Sequence, residues 1–91
     1  MSVYLVGVGD CESYGVICAC ATKELAVKKL FEQRDKMVLD WIKYRDHKDS
    51  FPSSVEMYQK MIDSLAGKDY ENWNNYPHET PTISEQEVLT S

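Results

Sequence analysis

The sequence predicts an α+β domain: an antiparallel sheet of two or three strands, packed on one face by a long amphipathic helix with a second, shorter helix beside it. Three observations predict it. Two short segments rich in β-branched and apolar residues open the chain around a glycine-bounded turn. A stretch from Thr22 to Arg45 repeats its apolar residues at helical spacing, and a second such stretch follows a charged connector. At 91 residues the chain fits one domain, 1–91. A chain of this size buries only roughly 60–65% of the surface its unfolded form exposes, so its core is thin.

Val3-Tyr4-Leu5-Val6-Gly7-Val8 is too short for a helix and has the composition of a strand, spanning about 3–8. Gly9 to Gly15 is a polar turn, and 15–21 forms the second strand of a hairpin. Neither alternating set of Val16-Ile17-Cys18-Ala19-Cys20-Ala21 is polar, which predicts a central strand covered on both faces. Thr22 then caps the long helix, 23–45, and Glu24 in its first turn suits the positive end of the helix dipole. Val27, Leu30, Phe31, Val38, Trp41 and Ile42 form its apolar stripe, with Met37 at the edge. Arg34 interrupts that stripe. Leu25 and Leu39 fall on the polar side and, with Met57, suggest a second apolar contact within the chain or between two copies of it.

Ser53-Ser54-Val55-Glu56 matches a capping box, placing a second helix at 54–66 with Val55, Tyr58, Met61, Ile62 and Leu65 inward and Gly67 as its left-handed terminator. Residues 67–80 have no period but hold Tyr70, Trp73 and Tyr76. Residues 81–89 alternate as an edge strand beginning at Pro81. Ser84-Glu85-Gln86-Glu87 also fits a short helix, but a third strand completes what is otherwise a marginal two-stranded sheet.

The net charge of −5 argues against direct nucleic-acid binding, because phosphates are neutralised by clustered Lys and Arg. Lys23 to Asp49 is mixed, whereas beyond it Asp69, Glu71, Glu79, Glu85 and Glu87 face a single basic residue after residue 67, Lys68. No apolar run approaches a membrane span, and Val3 to Val8 lacks the basic flank of a signal peptide. The three cysteines are an odd number, and Cys18 and Cys20 share one side of a strand with poor disulfide geometry. A cytoplasmic protein with free thiols is the expectation.

No catalytic or cofactor motif is present, so the chain is expected to be non-enzymatic and to carry no cofactor. Asp10, Glu12 and His47, with Asp46 and Asp49 nearby, offer the alternative of a small hydrolase, although turns and connectors are acidic for solvation alone. Cys11, Cys18 and Cys20 with His47 or His78 offer a metal or small-ligand site, but a C-x-C in an apolar strand aims its thiolates badly, and buried cysteines pack as small hydrophobes.

The aromatic stretch is the stronger candidate, since Tyr and Trp anchor many protein interfaces. Tyr70, Trp73 and Tyr76, together with Glu79, Glu85, Glu87 and Arg34, make the expected protein-binding surface. The competing role for Trp73 and one tyrosine is to cover the thin core. For Arg34 it is to lay its stem on the core while its guanidinium finds a carboxylate.

Tyr4-Leu5-Val6, Tyr14-Gly15-Val16-Ile17 and the junction Ala21-Thr22-Lys23-Glu24-Leu25-Ala26 resemble small uncharacterised phage and mobile-element proteins, in which a hairpin enters a helix through T-x-E-x-A. That resemblance covers the first third of the chain. It implies an adaptor or an inhibitor of a host or defence protein, acting by binding, with a basic surface on the partner as one fit. A homodimer is compatible with the same features.

Overall fold

The structure, a computed structural model, describes residues 1–10, 12–75 and 78–88. Cys11, Tyr76 and Leu89, which figure in the expectations above, lie outside the described residues. The elements run β1 (Ser2–Gly9), β2 (Tyr14–Cys20), α1 (Lys23–Arg45), α2 (Pro52–Ser64), a single 3-10 turn (Tyr70–Asn72) and β3 (Thr80–Glu87). The α+β architecture read from the sequence is the one observed, and 80–87 is a strand.

All three strands are antiparallel in the order β2-β1-β3. That order corrects one expectation. β2 is an edge strand, and β1 is central, because β3 returns to the far side of β1. Tyr14, Val16 and Ile17 of β2 are about half exposed, at 54%, 54% and 49%. The register slips between Val6 and Gly7, where Val6 faces Cys18 and Gly7 faces Val16, leaving Ile17 as the extra residue of a β-bulge. On the face away from the helices, the Tyr14 ring lies over Gly7. A Cβ at that position would collide with the ring and come within 2.9 Å of the Gly15 carbonyl.

Thr22 caps α1 as its sequence predicts, its Oγ1 accepting the Leu25 N–H at 3.2 Å. α2 starts differently from the capping-box reading. Phe51 is the N-cap, with no side-chain cap, and Pro52 occupies the first turn, so Ser53 is already inside the helix. Proline's fixed φ suits that first turn, and its missing N–H costs nothing where no intrahelical partner exists. At the other end Leu65 is the C-cap and Gly67 follows with φ 81°, the left-handed region where glycine is favoured.

The core forms one layer between sheet and helices. Val6, Cys20, Ala26, Leu30, Met37, Trp41, Met61, Leu65 and Trp73 are buried in it. Strand alternation sends Tyr4, Val6 and Val8 of β1, and Ile83 of β3, to that side. α1 lies mainly across β1 and β3, and α2 packs chiefly on α1. β2 therefore overhangs the helical layer, which is why an apolar strand remains exposed. Among the described residues no helix is long and apolar enough to cross a membrane.

Candidate functional site

Arg34 leaves the α1 stripe to reach the end of α2. Its Nη1 donates to the carbonyls of Leu65 at 2.7 Å and Gly67 at 3.0 Å, and its Nε to Asp35 Oδ1 at 2.8 Å. The guanidinium carbon lies 5.2 Å from the Phe31 ring centroid and 5.0 Å from that of Trp73. Phe31 makes edge contacts with Tyr70 (6.1 Å) and Trp73 (5.4 Å). These groups form one cluster: a cation held on two aromatic faces while it satisfies carbonyls that the α2 terminus leaves without intrahelical donors. Trp73 is buried and Tyr70 half-buried. Among the described residues the Trp73 Nε1 has no hydrogen-bond partner.

Asn75 fastens the other end of the aromatic stretch. It is 5% exposed, and both its side-chain oxygen and its side-chain nitrogen are hydrogen-bonded. Its Oδ1 accepts from Ser64 Oγ at 3.0 Å, and its Nδ2 donates to the Glu79 carbonyl at 3.1 Å. Its backbone N–H donates to Thr80 Oγ1 at 3.0 Å. Buried amides are retained where each donor and acceptor finds a partner, and this one ties α2 to the start of β3.

Beside the cluster is a groove of about 170 Å³ lined by Tyr4, Lys23, Tyr70, Glu71, Ile83 and Glu85. Tyr4 and Glu85 are direct cross-strand partners, and Ile83 shares their face. Of the expected interface residues, the structure thus brings together Tyr70 and Glu85, and separately Arg34, Tyr70 and Trp73. Glu79 is exposed at a different cleft. Glu87 is exposed at the far end of β3, opposite Ser2. Tyr4, Lys23, Glu71 and Ile83 were not singled out from the sequence. The signal for Tyr4 and Ile83 is strand parity, which becomes informative only once β3 is known to pair with β1.

A second cleft, of about 320 Å³, has Trp41, Tyr44, Met57, Tyr58 and Met61 as its apolar wall and Asp10, His78 and Glu79 on its rim. His47 and Asp49 line the neighbouring depression with Phe51. The Asp10 carboxylate organises the hairpin turn, its Oδ1 accepting the N–H groups of Glu12 and Ser13, each at 2.8 Å. Those two bonds hold its pKa below the usual carboxylate value, which makes Asp10 a weak proton acceptor. His47 Nδ1 accepts the Asp49 N–H at 3.2 Å, a bond within the connector turn, and the Asp49 carboxylate lies 4.0 Å away. Asp10 and His47 thus serve local turns at two different clefts.

The lowered Asp10 pKa sets a pH dependence for the hairpin. Its contribution is complete above the ordinary carboxylate pKa and is lost as pH falls through the lower folded value. An NMR titration should show the Asp10 carboxyl titrating below the ordinary carboxylate value, with the Glu12 and Ser13 amide resonances following Asp10. Titration of those amides at the ordinary carboxylate value would contradict the turn geometry.

Cys18 and Cys20 are free thiols with their sulfurs 3.9 Å apart, and burial pushes the Cys20 thiol pKa up. Among the described residues no three His, Cys, Asp or Glu side chains stand together in a way that holds a metal ion. The chain matches no protein-family model, no curated protein and no solved structure.

Proposed function

We propose that the chain is a small acidic, non-enzymatic protein-binding module that docks on a basic side chain of its partner. The observation that carries this reading is the groove of Tyr4, Tyr70 and Ile83 edged by the Glu71 and Glu85 carboxylates. An arginine or lysine entering it meets two carboxylates, with tyrosine faces to cover its stem and attract its charge. Lys23 on the rim supplies one opposing charge, which favours a partner whose own cation displaces the Lys23 side chain. The groove is preformed because Tyr70 is held by the Phe31–Trp73 cluster and Glu85 by the β1–β3 ladder, so little ordering is required on binding. The same surface suits an inhibitor that covers a basic face of a host or defence protein, the role implied by the hairpin-to-helix resemblance.

The test is parallel capture from host lysate with the wild-type chain and the Glu71→Gln/Glu85→Gln double variant. A partner retained by the wild type should bind the double variant at least ~10-fold more weakly, about 1.4 kcal/mol, with the Tm of the module unchanged. A partner held equally by both proteins refutes this use of the groove.

A further inference from the structure

We propose that β2 is the seam of a two-fold homodimer, in which the β2 strands of two copies pair antiparallel and join two three-stranded sheets into one of six. The two edges of the sheet are unlike. Along its outer half β3 carries the exposed Glu85 and Glu87, the like charges with which proteins guard a free edge. β2, Tyr-Gly-Val-Ile-Cys-Ala-Cys, carries no charge and no proline, and among the described residues its outer row of backbone donors and acceptors meets no other strand. A guarded edge opposite an unguarded one stops growth after one pairing, which selects a closed dimer over a filament.

Charge favours a second copy as the occupant. Two chains of net charge −5 repel over most of their surfaces, and β2 offers an approach along a strand that itself carries no charge. Its side chains are apolar on both faces. Tyr14 and Val16 lie on the side away from the helices, while Ile17 and Cys18 border a groove with Lys29, Glu32 and Lys36 of α1. Because β2 overhangs the helical layer, α1 does not block a strand laid beside it. Antiparallel pairing also brings Glu12 of one copy towards the Cys20 end of the other, where Lys29 lies. By helical spacing Leu25 and Leu39, 44% and 59% exposed, continue the row of Lys29, Glu32 and Lys36 that flanks this seam. The bulge at Ile17 confines regular pairing to short lengths on either side of it. A seven-residue strand spans only ~24 Å, short for an obligate interface, so the association is reversible and concentration-dependent.

Sedimentation equilibrium of the full chain tests this under reducing conditions. The wild type should move from monomer to dimer with concentration, and amide exchange across Tyr14–Cys20 should slow in step. Val16→Lys and Ile17→Lys, made separately, place a guarding charge on the edge. Each should weaken association at least ~10-fold while far-UV circular dichroism and monomer Tm are retained. Gln86→Lys, on the open face of β3 opposite Val3, should leave the dimer intact. A wild type that stays monomeric overturns the proposal, as does a dimer indifferent to both β2 lysines or one lost only with Gln86→Lys. Open-ended polymers would also overturn it, because they require β2 to pair with β3. None of these readouts involves Glu71 or Glu85, so the seam and the proposed groove stand or fall separately.

Discussion

Trp73→Ala is expected to destabilise the fold by about 3–5 kcal/mol, the cost of removing a large aromatic side chain from a closed core. Trp73 is 8% exposed and makes edge contacts with Phe31 and Tyr70, and its ring is one of the two faces that hold the Arg34 guanidinium. The residue lies outside helix and strand, so no repetitive hydrogen bonding replaces what its ring supplies. Small domains are stable by only about 5–15 kcal/mol, and this variant should therefore be partly unfolded at room temperature. Trp73→Phe is the informative companion. It keeps an aromatic face and removes the buried N–H that has no partner among the described residues, an arrangement that carries its own cost. Urea unfolding should give the phenylalanine variant less than half the loss of the alanine variant, with the same denaturant slope. Equal losses would mean that the indole NH matters and that the ring packing is not what Trp73 provides.

The elements that declared themselves in the sequence are those whose signals are local. Thr22 caps α1 through a bond spanning three residues, and the α1 stripe repeats over six turns, so each can be read without knowing the rest of the fold. The start of α2 misled because two local signals competed. Ser53 and Glu56 have capping-box spacing, but Pro52 fixes the backbone one residue earlier, and the helix begins there. The position of β2 was illegible for a different reason. Apolar alternation records what a strand could bury, whereas edge or centre depends on where a segment more than sixty residues away returns. If the proposed dimer exists, the apolar character of β2 records a burial that a single chain does not show.

The site follows the same division. Tyr70 and Trp73 announce themselves as aromatic residues in a polar stretch, but composition cannot say that one is in the core and the other on a groove. Tyr4 and Glu85 meet only through the β1–β3 register, a contact across eighty-one positions. Asn75 is unremarkable as sequence. Its importance lies in hydrogen bonds to Ser64, Glu79 and Thr80, which belong to three different places in the fold.

Arg34→Met is expected to cost about 2–3 kcal/mol. The variant keeps an unbranched apolar stem of similar reach, so most of the packing survives and the loss reports the guanidinium. Two of its bonds go to carbonyls at the α2 terminus, and hydrogen bonds from a charged group are worth about 1.5–3 kcal/mol. The stacking on Phe31 and Trp73 adds roughly 0.5–1 kcal/mol for a partly exposed cation. The bond to Asp35 adds little, because that carboxylate is 66% exposed and keeps its hydration when the arginine is removed. For a domain of this length the net loss corresponds to a fall in Tm of about 8–20 °C. Arg34→Lys should fall between the two, because an ammonium can reach a carbonyl but cannot lie flat on two rings. The location of the damage distinguishes this account from a general loss of stability. Amide exchange should quicken from Leu65 to Trp73, where the clamp holds α2 to the loop, before it quickens in β1 or in the first half of α1. Uniform acceleration throughout the chain would show that Arg34 supports the core as a whole; an unchanged Tm would show that the clamp carries no free energy.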